Sequence, residues 1–172
     1  MKRHFASLFL FFILTLSLTS CGGVASASLH SEITAEINGE IKSIPVTLYE
    51  GEDYSIYIPD EEWELSSQSD AGEFWYNTEN KQVLLNIVMN PGQTMEDTYE
   101  DISFSCEGFV FGEMDANNHF SGEDSFTEQM ADVLLLETRK GTLIVWAEYP
   151  FSATEGVDSY LNAIVNTIQV TD

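Results

Sequence analysis

Basic side chains are scarce in this chain. Six Lys and Arg stand against 29 Asp and Glu over 172 residues, a formal charge of −23. So anionic a surface repels phosphate backbones and anionic lipid head groups, which argues against a nucleic-acid partner and against direct adhesion to a charged bilayer. Cysteine is almost missing, with Cys21 and Cys106 alone, so no multi-disulfide framework holds the chain together. Histidine is limited to His4, His30 and His119, and there is no H-E-x-x-H, no G-x-S-x-G elbow and no Gly-rich phosphate loop. Zinc-protease, esterase and nucleotide-binding chemistry therefore lack their usual signatures, and no catalytic residue, metal ligand or cofactor is assigned. Long apolar runs are limited to Phe5 to Leu18, about 14 residues, short of the roughly 20 that cross a hydrocarbon core as a helix.

That one run sits in a recognisable place. Met1-Lys2-Arg3-His4 precedes it and small or polar residues follow it, the tripartite plan of a secretory signal. Leu18-Thr19-Ser20-Cys21 resembles a bacterial lipobox. The resemblance implies that residues 1–20 are a signal peptide, that cleavage falls between Ser20 and Cys21, and that the Cys21 thiol carries a diacylglyceryl group. Two acyl chains anchor a protein stably where one does not. The expected place is therefore the cell membrane, lipid-anchored and facing away from the cytoplasm. Residues 21–31, with Gly22-Gly23 and several Ala and Ser, read as a flexible tether. Loss of Lys2 and Arg3 with the signal leaves four basic residues against 29 acidic ones, a charge of −25. Cys106 is then left alone, on a predicted helical stripe that gives it a buried apolar role.

Residues 32–172 fit one acidic domain, with 44% apolar and 12% aromatic content favouring a packed core over disorder. Ile33, Ala35 and Ile37 alternate with polar residues, Asn38-Gly39 signals a hairpin turn, and Ile41 to Leu48 returns as a strand that Pro45 assigns to an edge or an irregular pairing. This hairpin reads as an N-terminal extension. Tyr54-Ser55-Ile56-Tyr57-Ile58-Pro59 is the next strand, Trp63 and Leu65 follow, and Ser66 to Gly72 reads as a polar loop before Phe74-Trp75-Tyr76. Val83 to Met89 alternates as a strand. Thr94 and Asp97 form a capping-box pattern, with Met95, Tyr99, Ile102 and Cys106 along one helical stripe and Glu96, Asp97, Glu100 and Asp101 on the solvated face. A short hairpin spans Phe109 to Phe120, Ser121 to Gln129 reads as a loop, and Val133 to Thr138 pairs with Thr142 to Tyr149 across Arg139-Lys140-Gly141. Ser152 and Glu155 suggest a second capping box for a closing helix carrying Val157, Tyr160, Leu161, Ile164 and Ile168.

The predicted class is α+β: an antiparallel sheet of about six strands covered by a central helix at about 94–106 and a C-terminal helix at about 153–168. The strand Tyr54 to Pro59 followed closely by Trp63, with this element order, resembles the Mog1/PsbP-like fold over about residues 46 to 170. Another helix-on-sheet design, such as a cystatin-like one, stays open. The resemblance implies a binding or scaffold module, through fold analogy alone.

Tyr57, Trp63, Trp75 and Tyr76 form the candidate ligand groove, because flat rings bury large areas and hydrogen-bond at their edges. Asp115-Ala116-Asn117-Asn118-His119 begins like a calcium loop but has Phe120 and Phe126 where an EF-hand needs Gly and Glu, so it reads as a turn held by Asp and Asn side chains. Weak Ca²⁺ binding by the acidic surface is retained. The expected function is a membrane-anchored, non-catalytic binding or accessory module of the bacterial envelope, meeting a protein, peptide or glycan, or docking a basic partner through the acidic helix face. An envelope hydrolase using a carboxylate pair is the alternative.

Overall fold

The computed structural model describes residues 30–37, 39–69 and 72–171. The stretch expected to be a signal peptide, with Ser20 and Cys21, most of the expected tether and the turn residue Asn38 lie outside the described residues. In chain order the elements are β1 (His30–Ile37), β2 (Glu40–Glu50), β3 (Tyr54–Pro59), β4 (Trp63–Ser69), β5 (Gly72–Asn77), β6 (Leu84–Pro91), α1 (Met95–Ser105), β7 (Val110–Phe111), β8 (His119–Asp124), β9 (Gln129–Glu137), β10 (Gly141–Pro150), a 3-10 turn (Phe151–Ala153), α2 (Thr154–Val165) and β11 (Gln169–Val170). The first strand begins at His30, two residues inside the stretch assigned to the tether.

One sheet of about six strands is not what forms. Strands pair antiparallel into two sheets, four-stranded in the order β1-β2-β3-β11 and seven-stranded in the order β4-β5-β6-β10-β9-β8-β7. Two polar stretches that read as loops are strands. Ser66 to Ser69 continues β4 past an irregularity between Leu65 and Ser67, and Ser121 to Asp124 completes β8. Polarity misleads here because β4 is the last strand on its side of the sheet, where side chains meet water and the backbone still pairs. The β1–β2 hairpin is no appendage either. It forms half of the smaller sheet, and Ile33, Ala35, Ile37 and Ile44 reach the main core. Pro45 is tolerated although β2 lies between two strands, because pairing with β3 starts only at Val46; beyond it the Pro45 carbonyl accepts the Asp60 N–H at 3.0 Å.

The alternation along β10 sends side chains to two cores. Leu143, Val145, Ala147 and Tyr149 face the smaller sheet and α2, in a core with Tyr54, Ile56, Trp75, Leu85, Ile87, Leu161 and Ile164. Ile144 and Trp146 point the other way, toward a second core of Ile102, Phe120, Val133 and Leu135 beneath α1. The larger sheet is thus covered on one face by the smaller sheet with α2, and on the other by α1 over β9 and β10.

The first helix follows its sequence signals. Thr94 caps it, its hydroxyl accepting the Asp97 N–H at 3.1 Å and donating to the Asp97 carboxylate at 2.7 Å. Met95, Tyr99, Ile102 and Cys106 pack inward as their spacing predicts, Cys106 standing half-buried at the C-cap. The closing helix differs. Its N-cap is Ala153, with no side-chain cap bond, so the Ser152 cap does not form. It ends at Val165 and not near 168. The Thr167 hydroxyl donates to the Ile164 carbonyl at 2.6 Å and accepts the Tyr57 N–H at 3.0 Å, which turns the chain onto β3 as β11.

Candidate functional site

The four rings of the expected groove do not converge. Tyr57 stands half-buried on β3 of the smaller sheet. Trp63 is buried and its Nε1–H donates to the Tyr160 hydroxyl at 3.0 Å, the two rings 6.4 Å apart. Trp75 is buried against Tyr49, edge to face at 5.0 Å. Tyr76, its neighbour on β5, belongs to the opposite face, where its hydroxyl donates to the Glu64 carboxylate at 2.6 Å and Lys81 lies 5.7 Å over its ring. Trp75 and Tyr76 do share a shallow surface depression with Phe74, Lys81, Leu84 and Asn86. It forms on the part of the larger sheet that α1 leaves open.

A deeper cavity, about 610 Å³, opens where the β2–β3 turn, the β4–β5 strand ends and the β9–β10 turn meet. Ile87, Met89 and Leu143 supply its apolar wall. Glu73 is buried within it although charged residues are seldom buried unless satisfied, and neutral donors hold both of its oxygens. The Tyr54 hydroxyl donates to Oε2 at 2.9 Å and the Gln68 amide to Oε1 at 3.2 Å, while Gln68 also reaches the Tyr49 hydroxyl at 3.1 Å. Burial, and then the Glu73 carboxylate, push the Tyr54 phenol far above its ordinary range, and Tyr49 moves up for the same reasons. At the rim Lys140 Nζ bridges Glu52 at 2.7 Å and Asp53 at 2.9 Å, and these partners raise its pKa. The arrangement is a preformed recess of hydrogen-bonding groups over an apolar floor. Sequence reading missed it because Glu73, Tyr54 and Lys140 come from three separate strands or turns.

A second polar cluster centres on Asp132. Its carboxylate accepts the Ser121 hydroxyl at 2.5 Å and the Tyr149 hydroxyl at 2.6 Å, with His119 Nε2 at 3.9 Å. Ser, His and Asp are thus close, but the serine donates to the acid and not to the imidazole, so the histidine is not placed as the base a serine nucleophile needs.

The Asp115 segment is the turn expected from its residues. One Asp115 oxygen accepts the N–H groups of Asn117 and His119, at 2.8 and 2.9 Å, and those bonds draw its carboxyl below the ordinary range. Among the described residues no group of three or more His, Cys, Asp or Glu is arranged to hold a metal ion. Asp124 repeats the device: the Thr127 hydroxyl, foremost, and the N–H of Phe126 lower its pKa. A carboxyl depressed in the fold stabilises above its unfolded pKa, about 3.9 for Asp, and loses that contribution as pH falls through the lower folded value. Asp124→Asn should therefore show a smaller drop in melting temperature than wild type between pH 5 and 2. Equal drops in thermal scans across that window would contradict this assignment. Burial raises the Cys106 thiol pKa.

The sequence matches no protein-family profile, and no curated protein matches it. Among solved structures, the chain is similar to a protein of Bacteroides thetaiotaomicron VPI-5482 at 9% identity and a TM-score of 0.44, covering 69% of this chain and 45% of that one. It therefore spans less than half of that protein's length. It is also similar to cyanobacterial PsbP (CyanoP) from Synechocystis sp. PCC 6803, known from its solution structure, at 14% identity and a TM-score of 0.46 over 89% of this chain and 98% of that chain.

Proposed function

We propose that the protein is a lipid-anchored binding or accessory module of the bacterial cell envelope, displayed on the outer side of the membrane and acting without catalysis. The observation that carries this reading is the lipobox-like Leu18-Thr19-Ser20-Cys21 directly after a signal-type apolar run. Among the described residues no helix is long and apolar enough to cross a membrane. The Mog1/PsbP-like reading of the domain belongs to the same proposal and rests on Tyr54 to Pro59 followed by Trp63.

The reading is tested by mass spectrometry of the mature N-terminal peptide together with cell fractionation. Wild type should carry a diacylglyceryl thioether on Cys21 and stay with membranes through a carbonate wash. Cys21→Ala should lose both the lipid and the membrane fraction. An unmodified Cys21, or a wild-type protein that the wash releases, ends the proposal.

A further inference from the structure

The cavity at the sheet ends holds a charge that the chain does not balance. Its volume of about 610 Å³ suits a small molecule. Ile87 and Leu143 in its apolar wall are almost wholly buried, so the main core fixes that side of the recess. Glu73 lines the same cavity with only 8% of its surface exposed. A carboxylate so placed ordinarily has a cation beside it, because an unpaired charge is costly to take out of water. Glu73 has neutral donors instead, Tyr54 on one oxygen and Gln68 on the other, and among the described residues it pairs with no Lys or Arg. An ionised carboxylate offers about four lone-pair sites, so these two bonds leave sites for a charged donor. Tyr54 is held in place for its bond, since a Cβ added at Gly51 would run into the phenol ring.

The mouth repeats the imbalance. Glu50, Glu52 and Asp53 stand there, and among the described lining residues Lys140 alone is basic. Glu50, Glu52, Asp53 and Glu73 against Lys140 leave three negative charges uncompensated. Lys140 is already engaged by Glu52 and Asp53. Anions are opposed by this field. A metal ion is the wrong occupant too: the described residues hold no group of three or more acidic, His or Cys ligands arranged for one, and the apolar wall offers a hydrated ion nothing. The remaining fit is an organic cation with an apolar body, one charged end for Glu73 and a second for the mouth.

We propose that this cavity binds a small aliphatic diamine. One ammonium donates to Glu73, the hydrocarbon chain lies against Ile87, Met89 and Leu143, and the second ammonium sits among Glu50, Glu52 and Asp53. The proposal deepens the binding-module reading by naming a site and its ligand class. The two fail separately: an unmodified Cys21 would end the anchor and leave the cavity as it is, while absent diamine binding would leave lipidation untouched.

The test is calorimetric titration of the full-length protein, in nonionic detergent micelles at constant ionic strength, with three probes. Cadaverine carries an ammonium at each end of a five-carbon chain, δ-aminovalerate replaces one ammonium by a carboxylate, and Mg²⁺ has the charge without the body. Cadaverine should bind with a Kd about tenfold or more below either comparator, a ratio worth about 1.4 kcal/mol. Glu73→Gln keeps a hydrogen-bonding side chain of the same size and should weaken cadaverine by about tenfold or more. Lys140→Met releases Glu52 and Asp53 to the ligand and should tighten cadaverine by about threefold, the scale of an exposed ion pair. Structural damage would act in the opposite direction. Mg²⁺ or δ-aminovalerate binding as tightly as cadaverine would overturn the proposal. So would full affinity in Glu73→Gln, or unchanged or weaker binding in Lys140→Met. Should Glu73→Gln fail to fold, the probe series and Lys140→Met decide by the same criteria.

Discussion

Trp63→Ala should destabilise the protein by about 3–5 kcal/mol, the cost typical of emptying a buried aromatic site. Trp63 is the first residue of β4 and lies in the main core. Its indole N–H bonds the Tyr160 hydroxyl on α2, so one side chain joins the outer strand of the larger sheet to the closing helix. Truncation opens a cavity and also removes the hydrogen bond to the Tyr160 hydroxyl, a loss of about 1 kcal/mol by itself. Trp63→Phe keeps most of the apolar area but removes the donor, so its loss should fall near 1–2 kcal/mol. Burial pushes the Tyr160 phenol up to about 12 while the Trp63 N–H opposes the rise. In Trp63→Phe that opposition is gone and the phenol should titrate higher still in an ultraviolet pH titration. Urea unfolding at neutral pH measures the stabilities. A Trp63→Ala unfolding free energy within about 1 kcal/mol of wild type would show that the β4–α2 junction contributes little.

Gly141→Ala is expected to cost about 3 kcal/mol despite adding a single methyl group, from backbone strain together with overpacking. Gly141 opens β10 with φ +149, a conformation that L residues rarely adopt. A Cβ there would stand 2.3 Å from the Asn90 carbonyl oxygen and 2.6 Å from the Gly92 nitrogen. Both contacts are backbone, so no side-chain rotation relieves them. The register Gly141↔Pro91 starts the β6–β10 pairing at the middle of the larger sheet, and the damage should extend to the whole cooperative unit. Gly92→Ala is the matched control: φ is +76, but nothing lies within 4 Å of its added Cβ, so only conformational strain is added. If the two variants melt together, the close approach at Gly141 is not what selects glycine there.

Local signals held where they were self-contained. Thr94 with Asp97 marks the start of α1 because a cap is satisfied within four residues, and the stripe from Met95 to Cys106 is oriented by helical geometry alone. The hairpin of β9 and β10 is legible for a similar reason, since both strands alternate and a short turn joins them. Polarity is a poor sign of a loop at a sheet margin. Ser66 to Ser69 and Ser121 to Asp124 are strands at or near sheet margins, where pairing needs backbone groups more than apolar side chains. Apolar spacing carries the predicted closing helix on to Ile168, yet Ile168 reaches the same core from beyond the helix end.

The sequence by itself determined the anionic charge, an α+β mixture of elements and the inward stripe of α1. Each depends on composition or on neighbours a few residues away. Only the tertiary structure decided that the strands divide into two sheets, that Trp63 and Trp75 are core residues, and that Glu73 is buried under Tyr54 and Gln68. Those outcomes depend on pairings between residues far apart in the chain, such as Trp63 with Tyr160 or Gln169 with Ser55. No local propensity encodes such partners. They are selected when the apolar faces of two sheets and a helix must be buried together.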